Sequence, residues 1–219
     1  MAASGRKDQV YLELRKRIMA GELLPGTQMS PAELAERYSV SRTPVRDALN
    51  MLAQEGLVEI IPRRGYFVSR ITVRDVEEIF EMRLILETAS AELATARISE
   101  ALIERLAHLS SRYVAGNVES YKAYLEENRQ FHLAVAQAAG NRLLVEALGR
   151  VFDQMQRFLI LRLDLSDDAD DMLAEHYLLL EAFRQRDAQR AKEAMRVAIE
   201  HARDAVLDSI FRHGKDWAI

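Results

Sequence analysis

Asn128 and His132 stand four residues apart in ENRQFHLAV, a spacing that puts both side chains on one face of a helix. Their neighbours at similar phase, Leu125, Phe131 and Val135, are apolar. His176 lies among Leu173, Leu179, Leu180 and Phe183, and His201 among Val197, Ala198 and Ala205. Three of the chain's five histidines thus fall in apolar segments of different helices. Taken singly, such a histidine is more often a satisfied core residue than a ligand. Three neutral imidazoles converging with one oxygen donor would instead form a shell for a divalent transition metal, zinc ahead of nickel or manganese. Arg83 poses a similar choice. Val76, Ile79, Phe80, Met82 and Leu86 define the apolar side of its helix, and Arg83 lies on or beside that side. It either pairs with Glu87 or offers its planar donor fork to the carboxylate of a small organic acid.

A second set of residues points to nucleic acid. In Ser30 to Val68, Arg42, Thr43, Pro44 and Arg46 open a short helix, and Pro62-Arg63-Arg64-Gly65 forms a basic turn behind it. Ser30 with Glu33 makes a capping box and Pro31 suits the first helical position, so one helix starts there. Leu34, Ala35 and Tyr38 form its buried side. Ser39-Val40-Ser41 breaks it, and Ser41 is placed to cap the next helix. There Val45, Ala48, Leu49 and Leu52 repeat at helical spacing and face inward, leaving the arginines outward. Gly56 stops the helix. Leu57 to Ile61 and Tyr66 to Val68 follow as strands around the basic turn. This order is that of a winged helix-turn-helix, whose recognition helix meets the major groove through its N-terminal residues. Arg42 and Arg46 would read base edges or hold phosphates, Thr43 would contact phosphate or a thymine methyl, and Arg63, Arg64 and Gly65 would carry the wing.

Residues 1–9 read as a flexible leader, residues 10–70 as the DNA-binding domain and residues 71–219 as a second domain. From Val73 onward there is no strand signal and no proline. Breaks divide this region into six amphipathic segments, roughly 74–96, 99–115, 118–139, 142–164, 168–185 and 187–213, which predicts an antiparallel helical bundle. Asn141 after Gly140 suits a helix start. The run Asp167, Asp168, Asp170, Asp171 lacks the glycine and terminal glutamate of a calcium loop. His108 and His213 look peripheral, and the tail around Trp217 has no assigned role.

Charge follows the same division. Residues 1–70 carry 11 Lys and Arg against 8 Asp and Glu, a balance of +3, while residues 71–219 carry 19 against 26, a balance of −7. The positive charge is concentrated where the DNA surface is expected. With no cysteine there is no disulfide framework and no thiolate chemistry. No apolar run of about 18 residues is present, so a cytoplasmic protein is expected.

The stretch LAERYSVSRTPVRDALNMLAQEGLVEIIPRRGYFV resembles the DNA-binding domain of the GntR family of bacterial transcription regulators. EMRLILETASAELA, ENRQFHLAVAQAAGN and EHYLLLEAF resemble the FCD effector domain of one GntR subfamily, in its shorter, VanR-like form. The resemblance implies a homodimer on a near-palindromic operator, with affinity set by a small carboxylate effector. It also implies that Asn128, His132, His176 and His201 hold a metal, and that Arg83 points into the effector pocket. Two departures stand out. Asn128 replaces the usual carboxylate, which would leave a cage of neutral ligands, and Ala32 stands where an arginine often contacts DNA. Two other classes remain open to the sequence. A metal-dependent hydrolase would use the histidine cluster, but HExxH and a placed general base are missing. An effector-less DNA-architectural protein would use only the first domain.

Overall fold

Val45, Ala48, Leu49 and Leu52 are fully buried, and the N-terminal part of the chain assembles around them. The computed structural model describes residues 5–109, 117–159 and 168–212, and the chain divides into two units between Ile71 and Thr72. Asp167, His213 and Trp217 lie outside the described residues.

The first unit runs α1 (Arg6–Met19), β1 (Gln28–Met29), α2 (Pro31–Arg37), α3 (Arg42–Gln54), β2 (Val58–Ile61) and β3 (Gly65–Val68). α1 begins at Arg6, inside the stretch expected to be a leader. Asp8 accepts the Gly5 N–H at 3.2 Å and supplies negative charge to the first turn. Val10, Leu14 and Ile18 of α1 join the α3 stripe in one core with Leu34, Ala35, Leu57 and Val68. Ser30 caps α2 by accepting the Glu33 N–H at 3.4 Å. Ser41 flanks α3 but makes no side-chain cap, contrary to expectation, so its exposed hydroxyl stays outside the helix. Gly56, at φ 72°, ends α3 in the left-handed conformation that glycine adopts freely.

β2 and β3 pair antiparallel, Ile61 opposite Gly65 and Val58 opposite Val68. A third strand was not legible from alternation. The two-residue β1 pairs with the other side of β3, so the order is β1-β3-β2. Two residues are too short to show a period of two.

The second unit is helical: α4 (Val73–Thr95), α5 (Glu100–Ala107), α6 (Val118–Ala138), α7 (Arg142–Leu159), α8 (Asp168–Arg184) and α9 (Ala188–Arg212). Thr72 and Asp75 form a reciprocal capping box at the start of α4. Asn141 accepts the Leu143 and Leu144 N–H groups at 3.1 and 3.3 Å, the helix-start role expected of it. The chain turns at Gly140, φ 74°, where a Cβ would lie 2.9 Å from the Arg97 guanidinium. Arg186 ties the α8–α9 turn to the end of α4 by donating to the Thr95 and Ile98 carbonyls at 3.0 and 2.7 Å. α4 is the central element, packing on α6, α7 and α9. Among the described residues, no helix is long and apolar enough to cross a membrane.

Candidate DNA interface and buried ligand site

The buried stripe of α3 leaves Arg42, Thr43 and Arg46 exposed on the side away from the core, with Pro44 half-buried among them. These residues occupy the first turns of α3, where free backbone N–H groups and the helix dipole favour a phosphate or a base acceptor. The wing tip is built for exposure. Arg63 is held at φ 64° and Gly65 at φ 109°, which turns the chain within Pro62-Arg63-Arg64 and leaves both arginines in solvent. Three contacts steady the tip. The Arg64 N–H bonds the Ile61 carbonyl at 3.0 Å, Gln28 Nε2 donates to the Arg64 carbonyl at 3.3 Å, and the Arg64 guanidinium lies 5.5 Å from the Phe67 ring centroid. The Tyr66 hydroxyl donates to Asn50 Oδ1 at 3.3 Å and links the wing to the outer side of α3. Gln28, Asn50 and Tyr66 were missed in the sequence because their roles depend on β1 and on pairing register.

In the second unit, α4 buries two opposite charges one turn apart. Arg83 is 3% exposed and Glu87 1%. Arg83 Nε donates to Glu87 Oε1 at 2.6 Å, and its guanidinium lies 5.2 and 5.1 Å from the Phe80 and Phe152 ring centroids. Its remaining reach goes to Met155 Sδ at 3.5 Å. The other Glu87 oxygen, Oε2, lies against His132 Nδ1 of α6, and neither atom has a hydrogen-bond partner by strict geometry. Burial raises the Glu87 pKa, but the charges of Arg83 and His132 outweigh it and hold the group at about 2. The carboxylate is thus shared between the Arg83 guanidinium and the His132 ring rather than exposed to a ligand.

His176 of α8 comes next. Its ring stacks on Phe131 with centroids 3.7 Å apart and planes 6° from parallel, and meets His132 edge-on at 5.3 Å. Burial, with the neighbouring His132 and Arg83 charges, lowers the His176 pKa well below 6.5 despite Glu87, so the ring is neutral in the fold. Asn128 Oδ1 and His176 Nε2 are both buried without a hydrogen-bond partner. Both residues line one small cavity with Leu109, Tyr124, Glu127, Phe131 and Leu173.

Asn128, His132 and His176 are therefore brought to one region, but the expected metal shell is not assembled. His201 is 67% exposed, and its Nδ1 lies 2.6 Å from Glu175 Oε1. The cause is helical phase. The buried stripe of α9 runs Ala191, Met195, Ile199, Val206, Ile210, and His201, two residues past Ile199, lies on the other side. His132 Nδ1 is turned to Glu87. Among the described residues, no three His, Asp or Glu side chains group closely enough to hold a cation. These donors do not assemble as the expected four-ligand shell for zinc, nickel or manganese, because His201 stands apart from the other three. Of the two roles open to Arg83, the structure shows the pairing with Glu87, made through Nε. Phe80, Arg83, Glu87, Ser90, Ala91 and Ala94 follow one three-and-four spacing on the buried side of α4, and that spacing was the available sign.

Residues 6–68 match the bacterial regulatory proteins of the gntR family, and residues 78–201 match the FCD domain. The chain is 31% identical over 209 residues to an HTH-type transcriptional regulator in an unstable DNA locus of Streptomyces ambofaciens, covering 95% of this chain and 86% of that protein. It is 28% identical over 210 residues to the HTH-type transcriptional repressor RspR of Escherichia coli (strain K12), covering 95% and 92%. A solved GntR transcriptional regulator from Rhodococcus sp. RHA1 shares the fold, with a TM-score of 0.73 at 23% identity, covering 93% of this chain and 98% of that one.

Glu87→Gln leaves the buried Arg83 without its counter-charge and is expected to destabilise the bundle by about 3–5 kcal/mol in urea unfolding. Replacing Arg83 by Met and Glu87 by Leu together should recover part of that loss; no recovery would show that the charges are not acting as a unit.

Because the His176 pKa is lowered in the fold, the unfolded chain binds a proton that the folded chain resists. Stability from this group is full above pH 6.5 and falls as the pH drops below it, with a slope of up to about 1.4 kcal/mol per pH unit for one proton. His176→Phe should flatten that slope in urea unfolding measured across the same pH range. An unchanged slope would mean that His176 protonates freely.

Proposed function

The chain belongs to the GntR family of bacterial regulatory proteins, with an FCD domain after its DNA-binding domain, and on that footing we propose an effector-controlled repressor acting as a homodimer in the cytoplasm. As a member of that family it is a DNA-binding transcription regulator rather than an enzyme. The observation that carries the DNA reading is the exposed cluster Arg42, Thr43 and Arg46 beside the steadied arginines of the wing. Arg42 and Arg46 read base edges in the major groove, a bidentate arginine supplying about 1–3 kcal/mol of discrimination against a wrong base. Thr43 and Pro44 set the first turn of α3 against the backbone, and Arg63, Arg64 and Gly65 lay the wing along phosphate.

Dimerisation is supported by the outer face of α4. Met82, Ile85 and Leu93 are 42%, 58% and 43% exposed and, with Ala89, fall on one stripe at three- and four-residue spacing. The same helix is apolar on its inner side through Val76, Phe80, Ala91 and Ala94. A helix apolar on two sides is suited to lie between its own bundle and a second copy. The effector enters the cluster of Asn128, His132 and His176 beside the Arg83–Glu87 pair. It acts by binding one arrangement of the dimer better than another, since a ligand shifts an equilibrium only through differential affinity.

With an operator selected from random duplexes, binding should weaken with salt at a log–log slope near −5, for about six phosphates per dimer. Arg46→Ala should cost about 1–3 kcal/mol and relax the base preference, whereas Arg63→Ala should weaken all sequences alike and make the slope shallower. Affinity independent of salt would sink the DNA reading. Ile85→Glu, at an exposed position, should give a folded monomer by sedimentation equilibrium and weaken operator binding. A variant that stays dimeric would move the interface elsewhere.

A further inference from the structure

Apart from Glu87 Oε2 and His132 Nδ1, which lie against each other, two side-chain atoms among the described residues of the bundle are buried and unmatched: Asn128 Oδ1 and His176 Nε2. Leaving such a group without a partner costs about 1–3 kcal/mol, so a molecule that satisfies both gains affinity from the mismatch. Both residues face a cavity whose apolar walls are Leu109, Phe131 and Leu173, with Tyr124 and Glu127 as its polar members. The enclosed space of the cavity has room for about one water-sized group and it opens to solvent, so a hydroxyl fits inside and a ligand's carbon body lies at the mouth.

We propose that this cavity takes a small uncharged alcohol or phenol directly, its hydroxyl bridging Asn128 and His176 with no metal between them. The inference rests on the effector reading above and gives that site a ligand class. The donor set disfavours a metal: His201 is on the solvent side with Glu175, His132 Nδ1 faces Glu87, and Asn128 and His176 alone supply two neutral ligands. The polarity disfavours a carboxylate. Its oxygens only accept hydrogen bonds, and here they would face the Asn128 oxygen with Glu127 nearby. The nearest buried cation, Arg83, is already matched by Glu87 at 2.6 Å. A hydroxyl both donates and accepts. It donates to Asn128 Oδ1 and accepts from His176 Nε2–H in the Nε2-protonated tautomer of the neutral ring. The ligand's carbon body then lies on Leu109, Leu173 and the Phe131–His176 stack.

The test titrates the full chain with benzyl alcohol and with benzoate, two probes on one carbon skeleton, in excess EDTA, followed by NMR shifts of the His176 ring. Saturable binding of benzyl alcohol, at least tenfold tighter than benzoate, is expected. Asn128→Leu and His176→Phe should each weaken it at least tenfold, and Asn128→Leu should leave unfolding stability unchanged or raised, since it removes an unmatched acceptor. Tighter binding of benzoate, no binding of benzyl alcohol, or one equivalent of zinc retained through His176 would each overturn the proposal. Operator affinity separates the two readings. If benzyl alcohol binds through Asn128 and His176 without changing operator affinity, effector control fails and the ligand class stands. If a zinc–benzoate complex changes operator affinity, the ligand class fails and effector control stands.

Discussion

The second unit depends on one buried carboxylate. Glu87 accepts from Arg83 on its own helix and lies against His132 on the next, with all three side chains nearly removed from solvent. A lone ion in that place would cost several kcal/mol, so Arg83 and Glu87 are tolerable only together, with His132 against the second carboxylate oxygen. That condition fixes the rotation of α4 about its axis, because Arg83 and Glu87 must share a face. It also fixes the position of α6, because His132 must reach the second carboxylate oxygen. Phe80 and Phe152 complete the shield by covering the guanidinium. Such a cluster adds less stability than an apolar core of equal volume would, but it accepts far fewer alternative packings.

The two units divide the chemistry of the chain. The first has a mainly apolar core and keeps the arginines of α3 and the wing outside, where Arg42, Arg46, Arg63 and Arg64 are all exposed. The second buries its charges and leaves apolar side chains outside on α4. A DNA surface needs accessible cations around a rigid support. A ligand-responsive bundle needs internal polarity that a small molecule can complete. The same residue type, arginine, serves both uses, and its surroundings decide which.

Much of the fold was legible because its signals are local. The stripe Val45, Ala48, Leu49, Leu52 and the Asn141 helix start each depend on residues within one or two turns, and both appear in the structure. β1 escaped because a two-residue strand has no pattern and is defined by its partner. The site was harder. Asn128 and His132 share one helix, so their shared face could be read from spacing. The approach of His176 depends on how α8 packs, and the exposure of His201 on the phase of α9. An apolar neighbourhood in sequence, Val197, Ala198 and Ala205, did not mean a buried one, because small residues fit on either side of a helix. Arg83 was more legible: its place on the buried face and the carboxylate four residues on are both local features, and the structure pairs them.

The cluster and the outer stripe lie on the same helix, and that gives the proposed control a physical route. α4 carries Arg83 and Glu87 on one side, Met82, Ile85 and Leu93 on the other, and begins directly after the DNA-binding unit at the Thr72 cap. A group filling the gap at Asn128 and His176 changes the polar environment of His132, and through Glu87 it acts on α4. A rigid helix cannot adjust one face while the other stays in place, so a shift that improves the buried contacts also alters the stripe presented to a partner. The cost of the two unmatched atoms, a few kcal/mol at most, is of the same order as typical allosteric couplings. No larger energy source is needed for a ligand of one hydroxyl group to bias the dimer.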